Sequence, residues 1–136
     1  MAMPKLTDDQ RLTLQYVYRT SRESGWKPVP TYFFYATQRV LAALLKRGLI
    51  AFPSENQVTV TEEGKAVSLR LVVALLTRAA GNNGLYVDPH PSVYRAFQFR
   101  FHGGQIEMQG FEEEWYPVDL MTLRFRHAAS NQVIDC

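Results

Sequence analysis

Cysteine is nearly absent from this chain: the one example, Cys136, is the last of 136 residues. A lone thiol forms no internal disulfide, so stability must come from packing, and the usage fits a reducing cytoplasm. No base lies near Cys136 in the sequence, which argues against a nucleophilic role. Long apolar runs are missing as well. None approaches the roughly 20 residues that a membrane span requires. The opening Met1-Ala2-Met3-Pro4-Lys5 has no apolar stretch behind it, so no secretory leader is expected. His90, His102 and His127 lie in separate segments without the paired spacing of metal ligands. A glycine-rich phosphate loop is also lacking, since Gly103-Gly104 reads only as a turn. These absences point away from an enzyme, and neither a metal nor a cofactor is expected.

What is present is an ordinary foldable composition, 46% hydrophobic and 21% charged, too apolar for a disordered chain. Aromatic residues make up 12%, many of them in the second half, where they suit a core or an interface. Charge is divided unevenly. Residues 1–80 hold eleven Lys/Arg against six Asp/Glu (+5), and residues 81–136 hold four against seven (−3). A basic front and an acidic back suit a nucleic-acid contact on one half and a different task on the other.

Along the chain, Thr7 with Gln10 three residues later forms a capping-box signature, reinforced by Asp8 and Asp9 in the first turn. Leu14, Val17, Tyr18 and Ser21 then recur at helical spacing, and Gly25 is the expected stop. Trp26 to Pro30 carries two prolines and reads as a connector. Tyr32-Phe33-Phe34-Tyr35 fits a short helix or an extended piece packed on the core. Over residues 37–48, Val40, Leu41, Leu44 and Leu45 form a stripe that ends at Gly48, with Lys46 and Arg47 in the last turn. Two short strands follow around Pro53-Ser54-Glu55-Asn56, and Thr61 caps a long apolar helix near residues 62–79. Such a helix is more apolar than a surface position needs, so it suits burial between halves or against a second copy.

Three pieces together resemble the winged helix-turn-helix family of bacterial and phage regulators. They are Leu6-Thr7-x-x-Gln10-Arg11, Leu41-x-x-Leu44-x-x-Arg47-Gly48-Leu49-Ile50, and Val60-Thr61-Glu62-Glu63-Gly64-Lys65-Ala66. The resemblance covers the front three-fifths of the chain. It implies an α+β fold: a winged helix-turn-helix domain over residues 1–80 with an appended antiparallel β-hairpin or small sheet over 81–136. It further implies that the helix at 37–48 enters the major groove of double-stranded DNA. Thr37, Gln38, Arg39, Ala42, Lys46 and Arg47 would then be the DNA-binding residues of a small transcriptional regulator. Gln and Arg suit adenine and guanine edges, and Lys46 suits a phosphate. A homodimer is expected, because one small module rarely buries enough surface for tight binding.

Behind the Ala79–Gly84 boundary, Phe97, Phe99 and Phe101 alternate with polar residues, and Ile106 and Met108 do the same beyond Gly103-Gly104, so a hairpin is expected. Its aromatic face is expected to pack on the long helix, the alternative being a stacking platform for single strands together with Arg95 and Arg100. A further strand is expected around Leu120, Met121, Leu123 and Phe125, and Asn131 to Cys136 read as a loose tail. Glu112, Glu113, Glu114 and Trp115 read as a loop that suits a basic partner. They motivate the alternative function, a phage-type inhibitor or adaptor that keeps the fold without binding DNA.

Overall fold

The computed structural model describes residues 5–33, 38–88 and 94–136. Its architecture is mixed α+β. In chain order the elements are α1 (Asp8–Glu23), β1 (Val29–Pro30), a 3-10 turn (Thr31–Phe33), α2 (Gln38–Lys46), β2 (Ile50–Ser54), β3 (Gln57–Val60) and α3 (Glu62–Ala80). There follow β4 (Leu85–Asp88), β5 (Arg95–Ala96), β6 (Gln98–His102), β7 (Gln105–Gln109), β8 (Trp115–Val118), β9 (Arg124–His127) and β10 (Val133–Ile134). The chain divides into two compact units, Met1–Ser68 and Leu69–Cys136. That division falls inside α3, rather than at the Ala79–Gly84 stretch that the sequence marks as a boundary. Gly84 instead belongs to the turn that ends α3, its amide donating to the Ala80 carbonyl.

In the first unit the local signals fold as their chemistry demands. The Thr7 hydroxyl accepts from the Gln10 amide at 3.2 Å, and the Gln10 side chain accepts from the Thr7 amide at 3.2 Å. Leu14, Val17, Tyr18 and Ser21 are buried along α1. Helix α2 ends in a Schellman motif: the Leu49 amide donates to the Leu44 carbonyl and the Gly48 amide to the Leu45 carbonyl. Gly48 has φ +75°, a left-handed conformation that costs glycine least. The motif turns Leu49, which is fully buried, back toward the core with Leu44 and Leu41. Leu45, expected in the same stripe, instead lies on the outer side and is 45% exposed. The four positions spread over about 140° of the helix surface, wider than the strip that Leu41 and Leu44 bury.

The three strands of this unit pair antiparallel in the order β1-β3-β2. Val29 and Pro30, expected only as part of a connector, therefore form an edge strand, with Val29 opposite Val58. Proline lacks a donor and is tolerated at an edge. Pro53 on β2 and Pro117 on β8 also lie on edge strands, so every proline in a described strand follows this rule. The β2–β3 register slips between Ala51 and Ser54, at the position of Pro53.

The join between β3 and α3 rests on Thr61. Its hydroxyl accepts from the Gly64 amide at 3.0 Å and donates to the Gly48 carbonyl at 2.6 Å. One side chain thus caps α3 and holds the end of α2. Gly64 allows this approach: a Cβ there would overlap the Leu49 carbonyl oxygen.

The second unit holds two antiparallel sheets, β10-β9-β4-β5 and β6-β7-β8. Only Phe97 separates β5 from β6, and its amide donates to Gln109 at 2.9 Å, so one nearly continuous strand passes from the first sheet into the second. Phe125 is fully buried and meets Phe99 edge-on at 5.6 Å. Leu85, Ile106 and Met108 are likewise buried.

The β6–β7 hairpin has the expected turn at Gly103-Gly104, with Phe99 opposite Met108 and Phe101 opposite Ile106. Its third strand is β8; of the expected Leu120 to Phe125 segment only the end is extended, Arg124 and Phe125 starting β9 of the other sheet, while Leu120 to Leu123 are not in a strand. There Asp119 accepts from the Met121 amide with its side chain and from Leu123 with its carbonyl, which forms a turn. Asn131 to Cys136 are not a loose tail either. Val133 pairs with Arg126 and Ile134 with Phe125.

Candidate functional site

Helix α2 presents a continuous solvent face. Gln38, Arg39, Ala42, Lys46 and Arg47 are all exposed, while Leu41 and Leu44 anchor the opposite side in the core. Thr37 lies outside the described residues. Among the described residues no carboxylate pairs with Arg39, Lys46 or Arg47, and no hydrogen bond ties their side chains down. Their charge is therefore displayed rather than spent on the fold. Lys46 and Arg47 also stand where cations complement the negative end of the helix dipole.

Beside the start of α2 opens a cleft of about 500 Å³, lined by Thr31, Gln38, Leu41, Phe52, Ser54, Glu55 and Asn56. It lies between the helix entry and the tip of the β2–β3 ribbon. Ser54 donates to the Gln57 side chain at 2.9 Å and Asn56 accepts from the Thr31 amide at 2.9 Å, so both sides of the tip are held. Glu55 brings a carboxylate beside Gln38, which makes this end of the helix less attractive to phosphate than the Lys46 end. Tyr32, expected in the core, is 78% exposed next to this region. Phe34 and Tyr35 of the same aromatic run lie outside the described residues.

A second feature backs the first unit. Trp26 follows Gly25 at the end of α1 and itself has φ +68°, uncommon for a bulky residue. Its amide donates to Ser21 at 2.7 Å, its ring meets Tyr18 edge-on at 5.5 Å, and the Lys65 ammonium lies 4.2 Å from its centroid. Lys65 of the Thr61-Glu62-Glu63-Gly64-Lys65 run is thus occupied by the fold.

The partner residues expected in the second unit divide. Glu112, Glu113 and Glu114 are exposed and none is ion-paired among the described residues. Trp115 is not part of that loop. It begins β8, half-buried, with the Arg100 guanidinium 4.1 Å from its ring centroid. Arg100 in turn donates to Glu107 at 2.8 Å. Hydrogen bonds link the loop to the fold: Gln109 donates to the Glu113 carbonyl at 2.9 Å, and the Tyr116 phenol donates to the Glu114 carboxylate at 2.9 Å. The second of these, with the nearby carboxylate charge, pushes the Tyr116 phenol above its ordinary pKa. Tyr94 meets Tyr116 edge-on at 5.6 Å and is also raised, chiefly by burial.

Sequence reasoning did not single out Tyr86. Its ring lies between two guanidiniums, Arg95 at 5.3 Å and Arg126 at 5.5 Å. Only the pairing of β4 with both β5 and β9 brings these three together, and no local pattern announces it. Among the described residues no group of His, Cys, Asp and Glu could hold a metal ion, and no helix is long and apolar enough to cross a membrane. No protein family, curated protein or solved structure matches the chain.

Proposed function

We propose that the first unit is a winged helix-turn-helix module that binds duplex DNA by laying α2 in the major groove, as a small transcriptional regulator. The observation that carries this is the outer face of α2. Gln38, Arg39, Ala42, Lys46 and Arg47 are exposed together, and their charges are uncommitted among the described residues. Support also comes from the order of elements. A capped helix and an edge strand precede α2, and a two-stranded ribbon and a Thr61-capped helix follow it, with the strands ordered β1-β3-β2. Arg39 and Gln38 would read base edges and Lys46 and Arg47 would neutralise phosphates. The short helix and the acidic Glu55 limit the phosphate contacts of one copy, so a two-fold pair is part of the proposal.

A gel shift with random duplex at two salt concentrations tests it. Arg39→Ala with Lys46→Ala should weaken binding about tenfold or more and flatten the log–log salt slope by about one to two. Unchanged affinity and slope would remove α2 from the interface. The competing role, capture of a basic protein through Glu112, Glu113 and Glu114, keeps its exposed carboxylates. It loses Trp115 as an open contact, because Arg100 already covers that ring.

A further inference from the structure

The outer face of the four-stranded sheet in the second unit carries an ordered set of cations and rings. Cross-strand register puts Arg95 and Arg126 directly opposite Tyr86, one on each side, and Asp88 opposite Arg124 on the next rung. At the other end, Phe97 packs where Gly84 has no side chain. A Cβ on Gly84 would lie 3.0 Å from the Phe97 ring and 2.9 Å from Arg95. Phe111 then leans on Phe97, the ring centroids 4.7 Å apart and the planes tilted by 60°, while remaining 83% exposed. An aromatic pair thus borders a cationic row.

The two ends of that row are held differently. Arg126 is tied to Asp88 at 2.6 Å and to Asn131 at 2.8 Å, so it positions the Tyr86 ring more than it offers charge. Arg95 has no carboxylate partner among the described residues. Its guanidinium lies over Tyr86 and, among the described residues, its side chain donates to the Tyr86 phenol at 3.3 Å. Among the described residues Arg124 donates only to the backbone carbonyls of Leu120 and Leu123. Both retain free N–H donors in a planar fork suited to phosphate oxygens. Counting Asp88, the row keeps a surplus of two positive charges.

We propose that this face binds single-stranded nucleic acid, with a base stacked on Phe111 and backbone phosphates on Arg95 and Arg124. An exposed ring backed by a second ring is what a splayed base needs, and stacking tolerates any sequence. Arg95, held by a ring, and Arg124, held by backbone carbonyls, offer charge to an anion without first breaking an ion pair. Glu112 to Glu114 follow Phe111 directly and repel phosphate, so the strand leaves the aromatic end toward Arg124 rather than toward the loop. An acidic peptide would use the arginines but has no use for the exposed Phe111 ring braced on Phe97.

Fluorescence anisotropy with a labelled oligothymidylate of about a dozen nucleotides tests this on the full chain. Binding should weaken at least about fivefold in Phe111→Ala and in Arg95→Ala with Arg124→Ala. Phe111 is exposed, so its replacement should leave Trp115 fluorescence and the thermal midpoint unchanged. Arg95→Lys keeps the charge but loses the fork and should bind less well than wild type. Absence of oligothymidylate binding at low salt would overturn the proposal. So would binding indifferent to Phe111, or displacement by polyglutamate as readily as by the unlabelled oligonucleotide. Duplex binding should persist in Phe111→Ala, so failure here and failure of the α2 reading are seen separately.

Discussion

Cations on α2 and cations on the sheets of the second unit are held in opposite ways. Arg39, Lys46 and Arg47 on α2 have no carboxylate partner among the described residues, and long side chains of this kind keep their rotamer freedom. Arg100 and Arg126 are each clamped between a ring and a carboxylate: Arg100 by Trp115 and Glu107, Arg126 by Tyr86 and Asp88. The contrast separates charge displayed to a ligand from charge built into a sheet. It also isolates Arg95, which is held by a ring and yet has no carboxylate partner among the described residues. A count of cations along the chain misses this distinction, which depends on the partner of each side chain.

The two units carry one tryptophan each, Trp26 and Trp115, so single-tryptophan variants report on each separately. Phe125→Ala should have the largest effect, about 3–5 kcal/mol, because it empties the centre of the second core. Denaturant unfolding followed through Trp115 should register it, and a loss below ~1 kcal/mol would mean that Phe125 is not that centre. Gly64→Ala should cost about 3 kcal/mol, at the upper end for overpacking, because its methyl meets the Leu49 backbone. Trp26 should report this loss first; an unchanged midpoint would show that α3 does not press on Leu49. The smallest difference tests the comparison itself. Arg100→Ala should cost about 1 kcal/mol, from the lost ring contact and the partly exposed ion pair. Arg39→Ala should stay within about 0.5 kcal/mol. Equal losses would erase the distinction between clamped and displayed cations.

Much of the first unit was legible in the sequence because helix ends are local. Thr7 with Gln10, Gly48 after Lys46-Arg47, and Thr61 before Glu62 each state their chemistry within four residues. The β6–β7 hairpin was legible for the same reason, through strict alternation around two glycines. What escaped was non-local. Val29-Pro30 becomes a strand only because β3 arrives beside it, and Trp115–Val118 only because β7 offers an edge. Glu112 to Glu114 and Pro117 hid the second of these by their composition. Ile134 follows the same logic, finding a partner in Phe125 that lies outside any local pattern. For the candidate site, the exposed cations of α2 were readable from helical spacing, whereas the Arg95–Tyr86–Arg126 row depends on three strands meeting in register.

The prolines at the borders of the sheets have one more consequence. Each replaces a backbone donor on a rim that a neighbouring chain could otherwise extend. Pro30, Pro53 and Pro117 therefore make β1, β2 and β8 poor templates for fibril growth. Copies of this molecule can crowd together along those borders without zipping into one another.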